Sequence, residues 1–180
     1  MSALGPEFNW RPITGRGYSE YLEWLNLDEA DLQGKVLDLG AGLGRFAREA
    51  AEKGIDVVAL DPQLYREEIR QCYLDAPYIP NLSAVAAEAH DMPFEDSSFD
   101  TVISLFAVPL EVGRANYEEV YREIFRVLRA GGKAYLTPLN ETDLKISIPL
   151  LIELGIPHSL RTVDTPFGPM HEWQRLTIEK

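Results

Sequence analysis

The fold of this chain is decided by residues 36–45, VLDLGAGLGR. An apolar run that predicts a buried strand leads into three closely spaced glycines, and a segment of helical periodicity follows Arg45. Because glycine has no side chain, such a turn can bring its backbone against a ligand, and the helix N-terminus offers free N–H donors. The stretch therefore predicts a nucleotide-like cofactor at the end of the first strand.

The pattern continues outward as short apolar runs that alternate with helical segments, which is typical of parallel βαβ units. The 180 residues suit a single domain. Its N-terminal part, residues 1–33, is predicted to be a helical lid region, and residues 34–180 the cofactor-binding core. The predicted strands are 35–39, 55–60, 82–86, 101–106, 133–137, 158–163 and 172–178. The predicted helices of the core are 45–53, 62–73, 116–128 and 143–154, with Pro149 a candidate break in the last.

The details of the glycine turn distinguish between cofactors. A dinucleotide fingerprint has its third glycine or alanine three positions after the second, where this chain has Arg45. Asp38 lies two residues before the first glycine, where a carboxylate repels a pyrophosphate but attracts an ammonium group. S-adenosylmethionine carries an ammonium and no phosphate, so the spacing favours it.

A second carboxylate follows the second predicted strand. Asp61 lies where an acidic residue can accept hydrogen bonds from ribose hydroxyls. Asp61-Pro62 also has the pattern of a helix N-cap followed by proline at the first helical position. The two roles are compatible, and neither distinguishes an adenosyl cofactor from a dinucleotide.

With these residues in place, the chain resembles the class I S-adenosylmethionine-dependent methyltransferases of the small methyltransferase-domain type. The resemblance rests on four motifs in register, which occupy residues 38–44, 60–62, 87–100 and 121–133, and it extends over about residues 35–138. It implies a single-domain, Rossmann-like α/β methyltransferase fold. The sheet would be seven-stranded and mostly parallel, with helices on both faces and the last strand antiparallel.

The resemblance also implies roles around the cofactor. Asp38 would hold the methionyl ammonium, directly or through water, and Asp61 with the adjoining Pro62 would contact the ribose. Glu88 stands where the family usually has an aspartate that accepts from the adenine amine, and a solvated loop carboxylate is its alternative interpretation. The remaining implied contacts are the turn residues Gly40, Ala41, Gly42 and Gly44, the adenine-side Ala89, and Ser104 and Phe106 facing the transferred methyl.

No residue stands out as the catalyst. Pro109 and Leu110 occupy positions where many relatives with small-molecule substrates carry a histidine pair. Tyr18 and Arg16 are candidates for a lid over the cofactor, although packing on the first helix is the favoured interpretation of Tyr18. The histidines, any of which can be an ordinary structural or solvated residue, are His90, His158 and His171.

Composition and charge limit the classes of partner and site that we expect for this chain. The formal net charge is −12, and the acidic side chains are spread along the chain, so no basic stripe is available for nucleic acid. A single cysteine cannot form an internal disulfide, and no Cys/His cluster has zinc spacing. No apolar run approaches the length of a membrane span, and the first ten residues do not resemble a signal peptide. We therefore expect a cytoplasmic protein without a metal, and a homodimer is one of the open assembly states.

The resulting hypothesis is an S-adenosylmethionine-dependent methyltransferase with a small-molecule acceptor, approached between residues 1–33, 104–114 and 139–145. One alternative is a partner or regulatory subunit that binds S-adenosylmethionine without catalysis. The other is a nicotinamide-dependent reductase, which Asp38 and Arg45 disfavour.

Overall fold

Seven strands form one sheet in the order β3-β2-β1-β4-β5-β7-β6. The computed structural model describes residues 15–74, 79–108, 112–163 and 173–180. The strands are β1 (Lys35–Leu39), β2 (Asp56–Leu60), β3 (Leu82–Val85), β4 (Phe99–Leu105), β5 (Leu128–Leu139), β6 (His158–Thr162) and β7 (Gln174–Glu179). The helices are α1 (Tyr18–Leu25), α2 (Arg45–Glu52), α3 (Glu67–Leu74), α4 (Tyr117–Val127) and α5 (Glu141–Glu153).

The strand directions agree with the sequence-based expectation. Strands β1 to β5 pair in parallel, and β7 pairs antiparallel with both β5 and β6. The seven-stranded, mostly parallel sheet with an antiparallel last strand is therefore confirmed. Strand order reverses between β1 and β4, which creates a crevice at the carboxyl ends of these two strands.

Helices cover both faces of the sheet, as predicted. On one face, α4 and α5 pack on a cluster that includes Leu37 and Leu39 of β1. On the other face, α1 and α2 pack on a cluster that includes Val36. Since side chains alternate along a strand, Asp38 lies on the same face as Val36 and points toward α1 and α2.

Beyond small shifts at the ends of elements, the structure departs from the prediction in three places. The segment predicted as one helix from residue 62 to 73 is a 3-10 turn, Pro62–Tyr65, followed by α3, because Arg66 between them is extended with ψ 128°. Gly131 and Gly132 lie within β5 rather than in a turn before it. Helix α5 continues through the exposed Pro149 instead of breaking there.

Within the described ranges, no helix combines the length and apolarity that crossing a bilayer demands.

Candidate functional site

The glycine turn joins the carboxyl end of β1 to the start of α2. The N–H groups of Gly40 and Ala41 both donate to the carbonyl of Leu60, at 2.8 and 3.1 Å, so the turn is anchored to the end of β2. Gly42 has φ 54°, in the left-handed region that glycine adopts without strain. Hydrogen bonds within the chain therefore define the shape of the turn.

The glycines of the turn differ in how much free space surrounds them. A Cβ added at Gly42 would meet no atom of the described residues within 4 Å, whereas one at Gly40 would lie 2.0 Å from the Cβ of Ala107. A Cβ at Gly44 would lie 2.3 Å from the ring of Tyr73, whose hydroxyl donates to the carbonyl of Gly42 at 3.0 Å. Gly40 and Gly44 are thus required by neighbouring side chains, while Gly42 borders open space where a ligand can approach.

Asp38 is a fully buried carboxylate beside this turn. Its Oδ1 accepts a hydrogen bond from the Tyr21 hydroxyl at 3.2 Å, and its Oδ2 is buried without a hydrogen-bond partner among the described residues. Burial raises the pKa of Asp38 from 3.8 to about 8; the Tyr21 hydrogen bond opposes this shift and the charge of Asp61 adds to it. An unpartnered buried carboxylate oxygen is costly, and an ammonium group from a ligand would satisfy it.

The sequence did not identify Tyr21 as a site residue. Its ring stacks on Phe46 of α2, with centroids 4.2 Å apart, and this contact directs the hydroxyl toward Asp38. Burial, followed by the charge of Asp38, raises the pKa of Tyr21 well above its ordinary value, so the hydroxyl stays protonated and donates. In the sequence, the available signal was a tyrosine that recurs at helical spacing with the apolar residues of the N-terminal segment.

Asp61 links the second strand to the glycine turn. Its Oδ1 accepts from the Gln63 N–H at 2.8 Å, which is the predicted N-cap contact, here on a 3-10 turn that begins at Pro62. Its Oδ2 accepts from the Gly42 N–H at 2.8 Å. Each carboxylate oxygen can accept a second bond, so the predicted ribose contact remains compatible with this geometry.

The residues after β3 follow its carboxyl end, at the same edge of the sheet as the glycine turn. Glu88 is exposed and forms an isolated bridge with Asp91, while Ala89 is buried in the core. The Glu88 carboxylate is therefore free of the core and accessible to solvent. Its predicted contact with an adenine amine stays a prediction.

Tyr18, which was considered both as a lid over the cofactor and as a packing residue, packs on helix α2 in the structure. Its ring is only 4% exposed and stacks on Phe46 with centroids 5.9 Å apart. The Lys53 ammonium, at the C-terminal end of α2, lies 4.8 Å from its centroid. Since the glycine turn is at the N-terminal end of α2, Tyr18 faces away from it, and Tyr21, one turn further along α1, takes the place beside Asp38.

Ser104, predicted to face the transferred methyl, has hydrogen-bond partners within the fold. Its side chain is fully buried, and its hydroxyl donates to the Leu39 carbonyl at 2.8 Å and accepts from the Val108 N–H at 3.0 Å. Both bonds join the ends of β1 and β4 to the segment that follows β4. Ser104 therefore supports the rim of the crevice from beneath.

Phe106, by contrast, lies at the mouth of the crevice, directly after β4. Its φ of 63° is unusual for a residue with a side chain, and its N–H donates to the Thr137 carbonyl at 2.7 Å. The Trp24 ring meets it edge-on with centroids 5.8 Å apart, and the Arg16 guanidinium lies 4.2 Å from its centroid. These three side chains, one of them the predicted lid residue Arg16, form a cover that we call the aromatic cap.

The described histidines lie apart from this arrangement or in the loop after β3. His158 begins β6, near the far edge of the sheet, and its Nδ1 lies 2.9 Å from the Ile156 carbonyl oxygen. His171, Pro109 and Leu110 fall outside the described residues. Among the residues that the structure does describe, no group of three or more His, Cys, Asp or Glu side chains is placed to hold a metal.

The contrast between Gly40 and Gly42 leads to a prediction. Gly40→Ala should lower the free energy of unfolding by about 3 kcal/mol because its Cβ overlaps Ala107. Gly42→Ala should cost only about 1 kcal/mol, for a left-handed backbone, yet weaken binding of an adenosyl ligand roughly tenfold by filling the open space. Urea unfolding and calorimetric titration measure the two effects.

The compensating double variant Gly40→Ala/Ala107→Gly serves as the control, because it removes the methyl group with which the new Cβ overlaps. It should recover the part of the loss that the overlap causes, while the cost of a left-handed backbone at position 40, where φ is 81°, remains. Equal destabilisation by Gly40→Ala and Gly42→Ala would contradict this account of the turn.

A second prediction concerns Ser104. Ser104→Ala should lower the free energy of unfolding by about 1–3 kcal/mol because two buried backbone groups lose their partner. Ligand affinity should change by no more than about threefold. Ser83→Ala on the exposed face of β3 is the matched control and should alter stability by less than about 0.5 kcal/mol. Unchanged stability with a large loss of affinity would restore a direct ligand role.

Comparison with known proteins identifies the family. The profile of the methyltransferase domain family matches residues 37–136, more than half of the chain. Sterol 24-C-methyltransferase from Aspergillus fumigatus is 39% identical over 100 residues, which are 54% of this chain and 26% of that protein. The bifunctional biotin biosynthesis protein of Cellvibrio japonicus is 32% identical over 113 residues, 61% of this chain and 20% of that protein. The chain belongs to the methyltransferase domain family.

Solved structures agree on the fold. An S-adenosylmethionine-dependent methyltransferase from Methanosarcina mazei superposes with a TM-score of 0.60 at 17% identity, covering 81% of this chain and 92% of that one. This likeness confirms the Rossmann-like methyltransferase fold. The chain spans between 20% and 42% of the length of curated relatives that it matches.

Proposed function

We propose that the chain binds S-adenosylmethionine in the crevice at the ends of β1 and β4 and transfers its methyl group to a small-molecule acceptor. The observation that carries this proposal is the buried Asp38 carboxylate, whose Oδ2 has no partner among the described residues. It lies beside a glycine turn that borders open space at Gly42. An isolated ligand phosphate would be repelled by this carboxylate, whereas an ammonium would be attracted to it.

The methionyl end of the cofactor carries both an ammonium and a carboxylate. Asp38 is assigned to the ammonium. Arg16 is assigned to the carboxylate, since its Nε is buried without a partner among the described residues and its charge lies close enough to lower the pKa of Tyr21. Asp38 and Arg16 would thus bind the ammonium and the carboxylate of the methionyl group, respectively.

The adenosyl end is assigned to the loops after β2 and β3. Asp61 retains one accepting position on each oxygen for the ribose hydroxyls while it holds Gly42 and Gln63. Pro62 and Ala89 would border the sugar and the base, and Glu88 would accept from the adenine amine. Ala41, only 9% exposed, lies within the turn beneath the ligand.

When bound, the sulfonium supplies an electrophilic methyl group to a nucleophile aligned behind it. Within this chain the aromatic cap would exclude water from that path and restrict the acceptor's approach. Its two aromatic faces also suit the neighbourhood of a cation. The described residues of the cap offer no base, so we expect an acceptor whose nucleophilic atom needs no deprotonation by the protein.

The acceptor is proposed to be a small molecule rather than nucleic acid. The net charge of −12 opposes the phosphate backbone of a nucleic acid. The curated relatives include a sterol 24-C-methyltransferase and a bifunctional biotin biosynthesis protein. Their sequence similarity to this chain covers only part of their length. They support the reaction class and leave the acceptor to experiment.

Two measurements test the proposal in order. Calorimetric titration with S-adenosylhomocysteine should show binding to one site per chain, and failure to bind either this product or S-adenosylmethionine would overturn the proposal. Incubation with methyl-labelled S-adenosylmethionine and a fractionated small-molecule extract should then transfer label to a discrete compound. Binding without transfer to any fraction would instead support the non-catalytic partner.

A further inference from the structure

A polar pocket lies apart from the glycine turn. It is located over strands β5, β6 and β7, beside the C-terminal end of α1. Its volume is about 280 Å³, and its lining includes two arginines, Arg161 and Arg175. They stand directly opposite each other in the antiparallel pairing of β6 with β7. Like charges in directly opposed positions destabilise a sheet, so this pairing calls for a compensating charge.

Arg175 is a buried guanidinium with an unused donor. Its side chain is 8% exposed, and Nη1 donates to the carbonyls of Leu25 and Asn26 at 2.6 and 2.7 Å. Its Nε is buried without a hydrogen-bond partner among the described residues. Burial, and then the charge of Arg161, lowers the pKa of Arg175. Two neutral carbonyls at the end of α1 do not neutralise this cation.

Arg161 adds a second cation on the solvent side of the same pocket. It is exposed, and it makes no ion pair in the part of the chain that the structure describes. Ser159 and Thr177, which also face each other across β6 and β7, bring two hydroxyl groups to the lining. Four potential donors therefore lie on two adjacent strands.

The carboxylates in the lining have other partners or are solvated. Glu179 pairs with Lys133 at 3.4 Å, and Asp31 accepts from the Tyr135 hydroxyl at 3.4 Å. Asp28, the remaining acidic residue, is exposed to water. The charge of Asp31 acts on Arg175 from a distance and raises its pKa, opposing the effect of burial. None of the three carboxylates forms an ion pair with either arginine within 4.0 Å among the described residues, so the facing guanidiniums lack a direct counter-ion from this lining.

We propose that Arg161 and Arg175 form a binding site for a small dianion, a phosphate or a phosphate monoester, held between the two guanidiniums. Their planar N–H groups match the oxygens of a phosphoryl group, and the hydroxyls of Ser159 and Thr177 supply further donors. The pocket has room for the phosphoryl group and a short organic substituent. Because the whole chain carries −12, it does not attract anions in general, and binding would report this local site.

The experiment is calorimetric titration of the full chain at low ionic strength with inorganic phosphate and, separately, with glycerol phosphate. Wild-type protein should bind at least one of them at one site, and Arg161→Gln should weaken that binding at least about tenfold. Arg161 is chosen over Arg175 because its side chain is exposed and makes no hydrogen bond to the described residues. Tighter binding of glycerol phosphate would point to a phosphate monoester, and equal or tighter binding of inorganic phosphate to the free ion.

Arg122→Gln is the matched control. Arg122 is exposed on α4, on the opposite face of the sheet, where it pairs with Glu118, and its loss changes the net charge equally. This variant should bind phosphate as wild type does. Absence of millimolar binding to wild type, or equal binding by Arg161→Gln, would overturn the proposal. Arg161→Gln should bind S-adenosylhomocysteine with the affinity of wild type. This titration distinguishes a failure of the phosphate proposal from a failure of the proposed cofactor site.

Discussion

Asp38→Asn should weaken the binding of S-adenosylhomocysteine by at least about 100-fold, equivalent to roughly 2.7 kcal/mol. The amide introduced by this substitution retains an oxygen for the Tyr21 hydroxyl, so the packing around it is kept. The neutral amide cannot, however, balance the positive charge of the ligand ammonium. This loss is large because a charged hydrogen bond is strongest in a site from which water is excluded. Calorimetric titration at pH 8.5 measures the loss.

A closely matched control exists on the other side of the sheet. Asp143 is also buried, at 3% exposure, and also accepts from a tyrosine hydroxyl, that of Tyr117, at 3.2 Å. Asp143→Asn therefore repeats the chemical change in a similar setting away from the glycine turn, and it should leave the affinity for S-adenosylhomocysteine within about threefold. Similar losses in both variants would mean that Asp38 acts only through the fold.

Cofactor affinity should also depend steeply on pH. Since the pKa of Asp38 in the free protein is about 8 and the ligand ammonium requires a carboxylate, binding at lower pH must first remove a proton. The affinity for S-adenosylhomocysteine should therefore fall by about tenfold per pH unit below pH 8, to about pH 6. Above pH 8 this dependence should disappear.

The proton can be counted directly. Titrations at pH 7 in buffers with different ionisation enthalpies should show release of nearly one proton per ligand bound by wild type, and none attributable to this site in Asp38→Asn. A wild-type affinity that is flat between pH 6 and pH 8 would show that Asp38 is already ionised in the free protein, and would contradict the role given to burial.

The same pKa has a consequence for stability. A carboxyl group whose pKa is raised by folding binds more protons in the folded than in the unfolded chain between about pH 4 and pH 8. The unfolding free energy of the ligand-free protein should therefore decrease as pH rises through this window, relative to Asp38→Asn. The buried carboxylate thus destabilises the free protein where it is ionised and is compensated by the ligand.

The glycine turn and its carboxylates could be predicted because their signals are local. Residues 36–45 contain a strand, three glycines and a helix start in one short stretch, and Asp61-Pro62 carries its own capping pattern. Alternation of strands and helices likewise predicted the parallel sheet, because a βαβ unit is specified by neighbouring segments. The break at Arg66 was not foreseen, since a 3-10 turn and the start of an α-helix share the same local preferences.

By itself, the sequence determined the fold class, the place of the turn and the acidic residues around it, since periodicity, glycine spacing and capping act over a few residues. Only the tertiary structure decided which side chains meet there. Tyr21 rather than Tyr18 reaches Asp38, and Ser104 is buried between two strand ends. The opposition of Arg161 and Arg175 depends on the register of β6 against β7. Such contacts join residues far apart in the chain, and their geometry follows from how helices and strands pack rather than from any local pattern.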